Sequence, residues 1–154
     1  MEVLGRDIIL EVREKGSEAW LTLVCLRTYS MNRVTTTFQT VNRCNPKFAK
    51  IGLGAITYTV PFEGDIDIDP TLEQAAYNWV ARVEKEQKLL QWRAYSPDYK
   101  YFRSGNGYIS TSEENAPQDG FATFSGTIIG TGEYYIEYDE GLFFNEYVFN
   151  QFTI

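Results

Sequence analysis

Histidine is absent from the sequence, and that single absence removes a wide band of chemistry. His-based acid–base catalysis, Ser–His and Cys–His nucleophile pairs and the usual zinc sites all need an imidazole. Cysteine is nearly absent too. With no secretion signal visible at the N-terminus, Cys25 and Cys44 read as separate buried thiols in a reducing cytoplasm, not as a disulfide. No apolar run approaches the ~18 residues a membrane span requires, so no membrane association is expected. Gly105-x-Gly107 and Gly130-x-Gly132 are too short for phosphate loops and neither opens a helix. There is no G-x-S-x-G nucleophile motif. Cations are in deficit, 14 Lys and Arg against 21 Asp and Glu, for a net charge of −7. That balance argues against a general nucleic-acid-binding surface, which needs basic patches to displace phosphate counterions. It leaves room for a surface past which nucleic acid slides without sticking. Neither catalytic residues nor a cofactor is expected.

What is present centres on residues 63–95. An alternating acidic run, Glu63-Gly64-Asp65-Ile66-Asp67-Ile68-Asp69, precedes Pro70. Asp69 suits an N-cap and Pro70 the first helical position. Leu72, Ala75, Ala76, Trp79, Val80 and Val83 then form one apolar stripe at helical spacing, predicting a helix over about 70–86. Leu89 to Tyr95 follows as a strand. No second helix of this quality exists, and the rest reads as strands and turns. The expected fold is therefore mainly β: two packed antiparallel β-sheets, sandwich- or barrel-like, flanked by a single helix. At 154 residues the chain is long enough for one domain with a real core.

In chain order, Gly5 to Val12 is a first strand, Glu14 to Glu18 a hairpin turn and Trp20 to Leu26 the returning strand. Thr35 to Val41 is β-branched and strand-like, Asn42 to Lys47 a loop, and Ala55 to Phe62 a strand. Ser96-Pro97-Asp98 marks a turn. Tyr99–Arg103 and Gly107–Thr111 read as strands around a Ser104–Gly107 break, and residues 112–120 as a polar loop. Phe121 to Ile129 is a late strand ended by Gly130-Thr131-Gly132. Residues 139–154 form a separate aromatic C-terminal strand or arm. It either completes the protein's own sheet or adds to a neighbouring subunit by strand pairing. Phe143, Phe144, Tyr147 and Phe149 are the subunit-contact candidates there.

Asp65-x-Asp67-x-Asp69 hints at a calcium loop, but Pro70 and Ala76 stand where that loop needs Gly and Glu. Alternation instead puts Glu63, Asp65 and Asp67 on one strand face, which is either a solvated face or a negatively charged functional surface.

The order of elements resembles the major tail tube proteins of long-tailed bacteriophages. The resemblance rests on the Gly5-Arg6-Asp7 start, the strand ending Phe62-Glu63-Gly64, the acidic-capped helix and Leu90-Gln91-Trp92-Arg93. It continues through the Tyr101–Ser110 strand to Phe121-Ala122-Thr123-Phe124-Ser125-Gly126-Thr127 and Gly130-Thr131-Gly132. It covers about residues 5–138, within one tail-tube-like domain of residues 1–138; related tubes occur in contractile injection devices. The resemblance implies a structural virion protein, assembled in the host cytoplasm, whose hexameric rings stack into a hollow tail tube for genome delivery. It also implies an acidic inner wall past which DNA slides, and contacts with tape measure, tail terminator and distal tail proteins. Residues 42–54 and 112–120 are then candidates for ring-to-ring contact. The rival reading is a monomeric β-barrel or sandwich binding a small apolar ligand or carbohydrate in a cleft lined by Tyr and Trp.

Overall fold

The computed structural model of the chain describes residues 2–23, 26–66, 74, 75 and 77–137. A short 3-10 turn at Gly5–Asp7 leads into β1 (Ile9–Glu14), β2 (Leu21–Leu23), β3 (Leu26–Tyr29), β4 (Asn32–Asn42) and β5 (Asn45–Asp65). Then come β6 (Gln74–Ala75), helix α1 (Tyr77–Glu86), β7 (Leu90–Tyr95), β8 (Phe102–Asn115) and β9 (Thr123–Tyr135). The nine strands make one sheet in the order β3-β5-β9-β8-β7-β1-β2-β6, with β4 also on β5. All pairs are antiparallel except β2 with β6.

This sheet curls into a nearly closed barrel, and chain connectivity shows why. β3 opens the strand order while β2 lies next to its far end, yet only residues 24 and 25 separate them in sequence. Three residue steps span at most about 11 Å, so the two ends of the sheet must meet. Register shifts in β8 at Ser104/Asn106 and Ile109/Thr111 supply the bends that let one strand serve two walls. Alternate side chains fill the space between: Tyr58, Val60 and Phe62 of β5 and Phe124 and Ile128 of β9 against Leu10, Val12, Leu90, Trp92 and Ala94. Tyr58 meets Trp92 across the barrel at 5.9 Å between ring centroids. Helix α1 packs Tyr77, Val80 and Val83 onto this core, with the Tyr77 ring 5.4 Å from that of Phe124.

Several expectations change. The described helix begins at Tyr77, after Gln74 and Ala75, which pair in parallel with Thr22 and Leu23 of β2; the expected start at Asp69 and Pro70 lies outside the described residues. The buried stripe is accordingly Tyr77, Val80 and Val83. The helix stops at Gln87, whose φ is 54°. There Lys88 N–H donates to Val83 O at 3.2 Å and Gln87 N–H to Glu84 O at 3.1 Å, a Schellman cap. The expected 42–47 loop is a tight hairpin, with Asn42 paired to Asn45, and Cys44 is exposed at its turn, not buried. Trp20 lies outside the returning strand, whose described residues form β2 and β3. Neither Ser104–Gly107 nor Gly130–Gly132 breaks a strand, since β8 and β9 run through them. Gly105, Gly107 and Gly130 serve close packing instead, whereas Gly132 has open space beside it and a φ of 77°. A Cβ at Gly105 or Gly130 would overlap Tyr58, whose hydroxyl donates to Asn106 O at 2.9 Å. Of the residues assigned to the C-terminal strand or arm, 139–154 lie outside the described residues.

Candidate assembly surface

β3 and β4 run end to end along one edge of β5, bridged by Ser30 N–H donating to Pro61 O at 3.1 Å. β9 takes the other edge of β5, but only from Thr59 to Asp65. Among the described residues, β5 from residue 57 back to 45 pairs with β4 alone and leaves the barrel as a two-stranded arm. β-branched residues favour this extended pair, and a two-residue turn closes it. Thr36 Oγ1 donates to Ala55 O at 3.1 Å, and the Phe38 ring lies over Gly52, where a Cβ would clash with it.

The arm has a core pattern without a core. A register shift between Thr35 and Thr37 puts an extra residue into β5, so Ile56, Leu53 and Ile51 all share the face of Tyr58, Val60 and Phe62. The apolar stripe that fills the barrel therefore continues beyond it. Leu53 is 74% exposed and Phe48 70%, and Val34, Phe38, Val41, Ile51 and Ile56 are each more than half exposed. An isolated hairpin of this kind is marginal alone, and large apolar side chains exposed on both of its faces mark an interaction surface.

The opposite face of β5 is polar where it joins the barrel. Register aligns Thr28, Glu63, Ser125 and Glu113 in one row across β3, β5, β9 and β8, and Pro61, Thr127 and Thr111 in the next. Together these line an open groove of about 330 Å³. Glu63 and Glu113 are exposed and sit two strand spacings apart, about 10 Å. Hydroxyls and carboxylates in that arrangement repel phosphate and offer it no cation. Asp65 is half-buried and its Oδ1 lies 2.6 Å from Arg27 Nη2. Of the acidic face read from sequence, Glu63 and Asp65 thus lie on β5, while Asp67 lies outside the described residues. So do Phe143, Phe144, Tyr147 and Phe149. Glu113 was missed because residues 112–120 read as a loop, although β8 reaches Asn115; the register shift between Ile109 and Thr111 reverses the strand's facing there, so alternation carried on from the buried Ile109 points Glu113 inward instead of outward.

Elsewhere, buried charge is held by structure. Glu11 Oε1 accepts from Arg93 Nε at 3.2 Å, from Arg93 Nη2 at 3.1 Å and from the Tyr95 hydroxyl. The Arg93 guanidinium lies 4.2 Å from the Trp20 ring centroid. Burial, then the bond to Glu11 and its charge, push the Tyr95 phenol up from 10.0 to about 12. Tyr77 is likewise raised to about 12, by burial and then by Glu114. Among the described residues no group of three or more His, Cys, Asp and Glu side chains is placed to hold a metal ion.

A nearly closed barrel that extends its own core stripe into solvent has the form of a building block. The chain belongs to the phage tail tube protein family, whose family model matches residues 2–135, and it is a tube-forming structural protein of the virion tail. Among solved structures it is similar to the tail of an empty gene transfer agent particle refined with C6 symmetry. That match has a TM-score of 0.74 and 13% identity, covering 89% of this chain and 100% of the other. The SPP1 tail tube matches with a TM-score of 0.72 at 12% identity, over 90% of this chain and 81% of that one. A chain of the six-fold symmetrised anti-feeding prophage baseplate matches at 0.65 and 5% identity, over 88% and 96%. No curated protein matches the sequence significantly.

Proposed function

We propose that copies of this chain form rings, six to a ring, that stack into a hollow conduit for DNA. The observation that carries this reading is the arm: seven large apolar side chains exposed on a strand pair that the chain's own barrel does not cover. Six-fold rings fit the C6 symmetry of the similar gene transfer agent tail. The role is structural, with no catalytic residue. The polar row carrying Glu63 and Glu113, with Asp65 and Asp67 beyond it, lines the inner wall, where repulsion of phosphate keeps DNA moving. Phe143, Phe144, Tyr147 and Phe149 contact an adjacent subunit, as a strand or arm distinct from the 1–138 domain. Tape measure, tail terminator and distal tail proteins are the other partners, and assembly takes place in the host cytoplasm.

The test is light scattering on size-exclusion fractions of the full chain, followed by negative-stain electron microscopy. Hexamer-sized rings or hollow filaments are expected. A monomer at every concentration, and no polymer on concentrating it, overturns the reading in favour of a monomeric binding module.

A further inference from the structure

The barrel wall across the core from β5 turns outward a face that is more buried than a bare surface. Register aligns Glu11, Arg93, Ser104 and Tyr135 in one row across β1, β7, β8 and β9, and Arg13, Gln91, Asn106 and Thr131 in the next. Glu11 and Gln91 are each 7% exposed and Ser104 1%. Asn106 Oδ1 is buried without a hydrogen-bond partner. Trp20 lies over this face, its ring centroid 4.3 Å from the Arg13 guanidinium and 4.2 Å from that of Arg93. Polar side chains on the outside of a barrel are buried only where a second layer covers them. One indole does not cover rows that run three strand spacings, about 14 Å.

The last described strand ends in the same place. Tyr135, in the first row, is the final residue of β9. Arg103 Nη1 donates to the Ile136 carbonyl at 3.2 Å, which holds the exit of the chain beside β8. Residues 138–154 follow, beyond the residues 2–135 that the family model matches. They carry Asp139, Glu140 and Glu146, no cation, and otherwise mainly large apolar side chains. Fully extended they reach about 55 Å, several times the width of the face. Acid and aromatic side chains thus leave the barrel at the edge of a face built of arginine and tryptophan.

Resting on the reading of the C-terminal arm given above, we propose that residues 138–154 cross the outer face of their own barrel as a strap, over β8 and β7 to Trp20 on β1. Period two puts Leu142, Glu146 and Val148 on one side of the strap and Phe143, Tyr147 and Phe149 on the other. The first side packs on the Trp20 ring and brings Glu146, the one acid in residues 142–149, to Arg13. The strap also supplies the donor that the buried Asn106 Oδ1 requires. The second side is thereby presented to the adjacent subunit from an anchored position, so less chain entropy is lost when the subunits meet.

The test is chymotrypsin cleavage within residues 138–154 of the full chain, followed by mass spectrometry. The chain is kept monomeric by dilution or by I51T/L53T/I56T, with light scattering as the check. Slow cleavage is expected in the otherwise unaltered chain. R13E and E146K, each folded by its melting temperature, are expected to be cut at least about tenfold faster, because cleavage follows the population of the opened strap. The double variant R13E/E146K restores protection, since the pair is rebuilt with its signs exchanged. W20A is expected to be cut as fast as R13E. Should R13E or W20A fail to fold, E146K, which lies outside the barrel, carries the comparison with the unaltered chain. A monomer cut as fast as a synthetic peptide of residues 138–154 overturns the strap. So does equal protection in E146K, or loss in both single variants without rescue in the double. Protection that appears only on assembly places the segment on another copy; it overturns anchoring on the chain's own barrel and leaves the tube standing. A protected monomer that never forms rings removes the tube reading and leaves the strap.

Discussion

Between Tyr58 and Asp65, β5 sends alternate side chains into a core that seals them; between residues 45 and 57 the same strand sends similar side chains into water. Val60 is fully buried and Leu53 is 74% exposed, yet they lie on one face of one strand. Nothing in local chemistry separates them. The difference is what stands opposite: β9 and the far wall of the barrel in one case, β4 alone in the other. Burial here is a property of the layer a strand meets, which is why a stripe can be core in one half and interface in the other.

The contrast breaks most visibly at Trp92. Trp92→Ala is expected to lose about 3–5 kcal/mol of stability in urea denaturation, the usual cost of emptying a large aromatic from a core. A loss below about 1 kcal/mol would mean the barrel wall collapses into the gap. Gly130→Ala should come next, at about 1–3 kcal/mol, because its methyl displaces the Tyr58 ring; an unchanged urea midpoint would show that Tyr58 can move aside freely. Alkali should act on the barrel as well. Tyr95 titrates near 12 in the fold against an ordinary 10.0, so the native state holds the proton more tightly. Its contribution is complete below pH 10 and fades as pH rises from 10 to 12. Tyr95→Phe should flatten the decline of the urea midpoint over that window, with Tyr77, Tyr29 and Tyr58, whose phenols burial also raises, supplying the remainder; an equally steep decline in the variant would sink the assignment. The smallest effect on stability belongs to the arm. Replacing Ile51, Leu53 and Ile56 together by Thr should leave the monomer within about 0.5 kcal/mol per site while abolishing assembly in light scattering. A stability loss above about 3 kcal/mol for the triple variant would place the arm in the folding core instead.

The class of fold was legible because alternation and a single helical stripe are local signals. Val80 and Val83 announced the helix by spacing, and Glu63 and Asp65 the polar face by period two. What failed was non-local. The helical stripe includes Ala75, yet Gln74 and Ala75 pair with β2 and the described helix starts at Tyr77; Asp69 and Pro70 lie outside the described residues. Gly105 and Gly130 looked like turn residues, as Gly16 is, with φ of 97°. They are strand glycines under an aromatic ring, and no single sequence distinguishes those uses. Pro46 suggested a loop, yet it sits in β5 where that strand has only β4 beside it, a place where a missing N–H breaks no ladder. Glu113 was lost for a related reason: polar residues at the end of a long strand look like the loop that follows them.

The 21-residue span of β5 also has a mechanical meaning. Tension on the arm tip is delivered along the strand axis into the seven cross-strand pairs from Thr59–Ile129 to Asp65–Thr123. Those ladder bonds run perpendicular to the pull, so they carry the load together in shear and cannot be peeled one after another. The part of the chain that reaches outward is thereby anchored as a tie-rod through the wall of its own barrel.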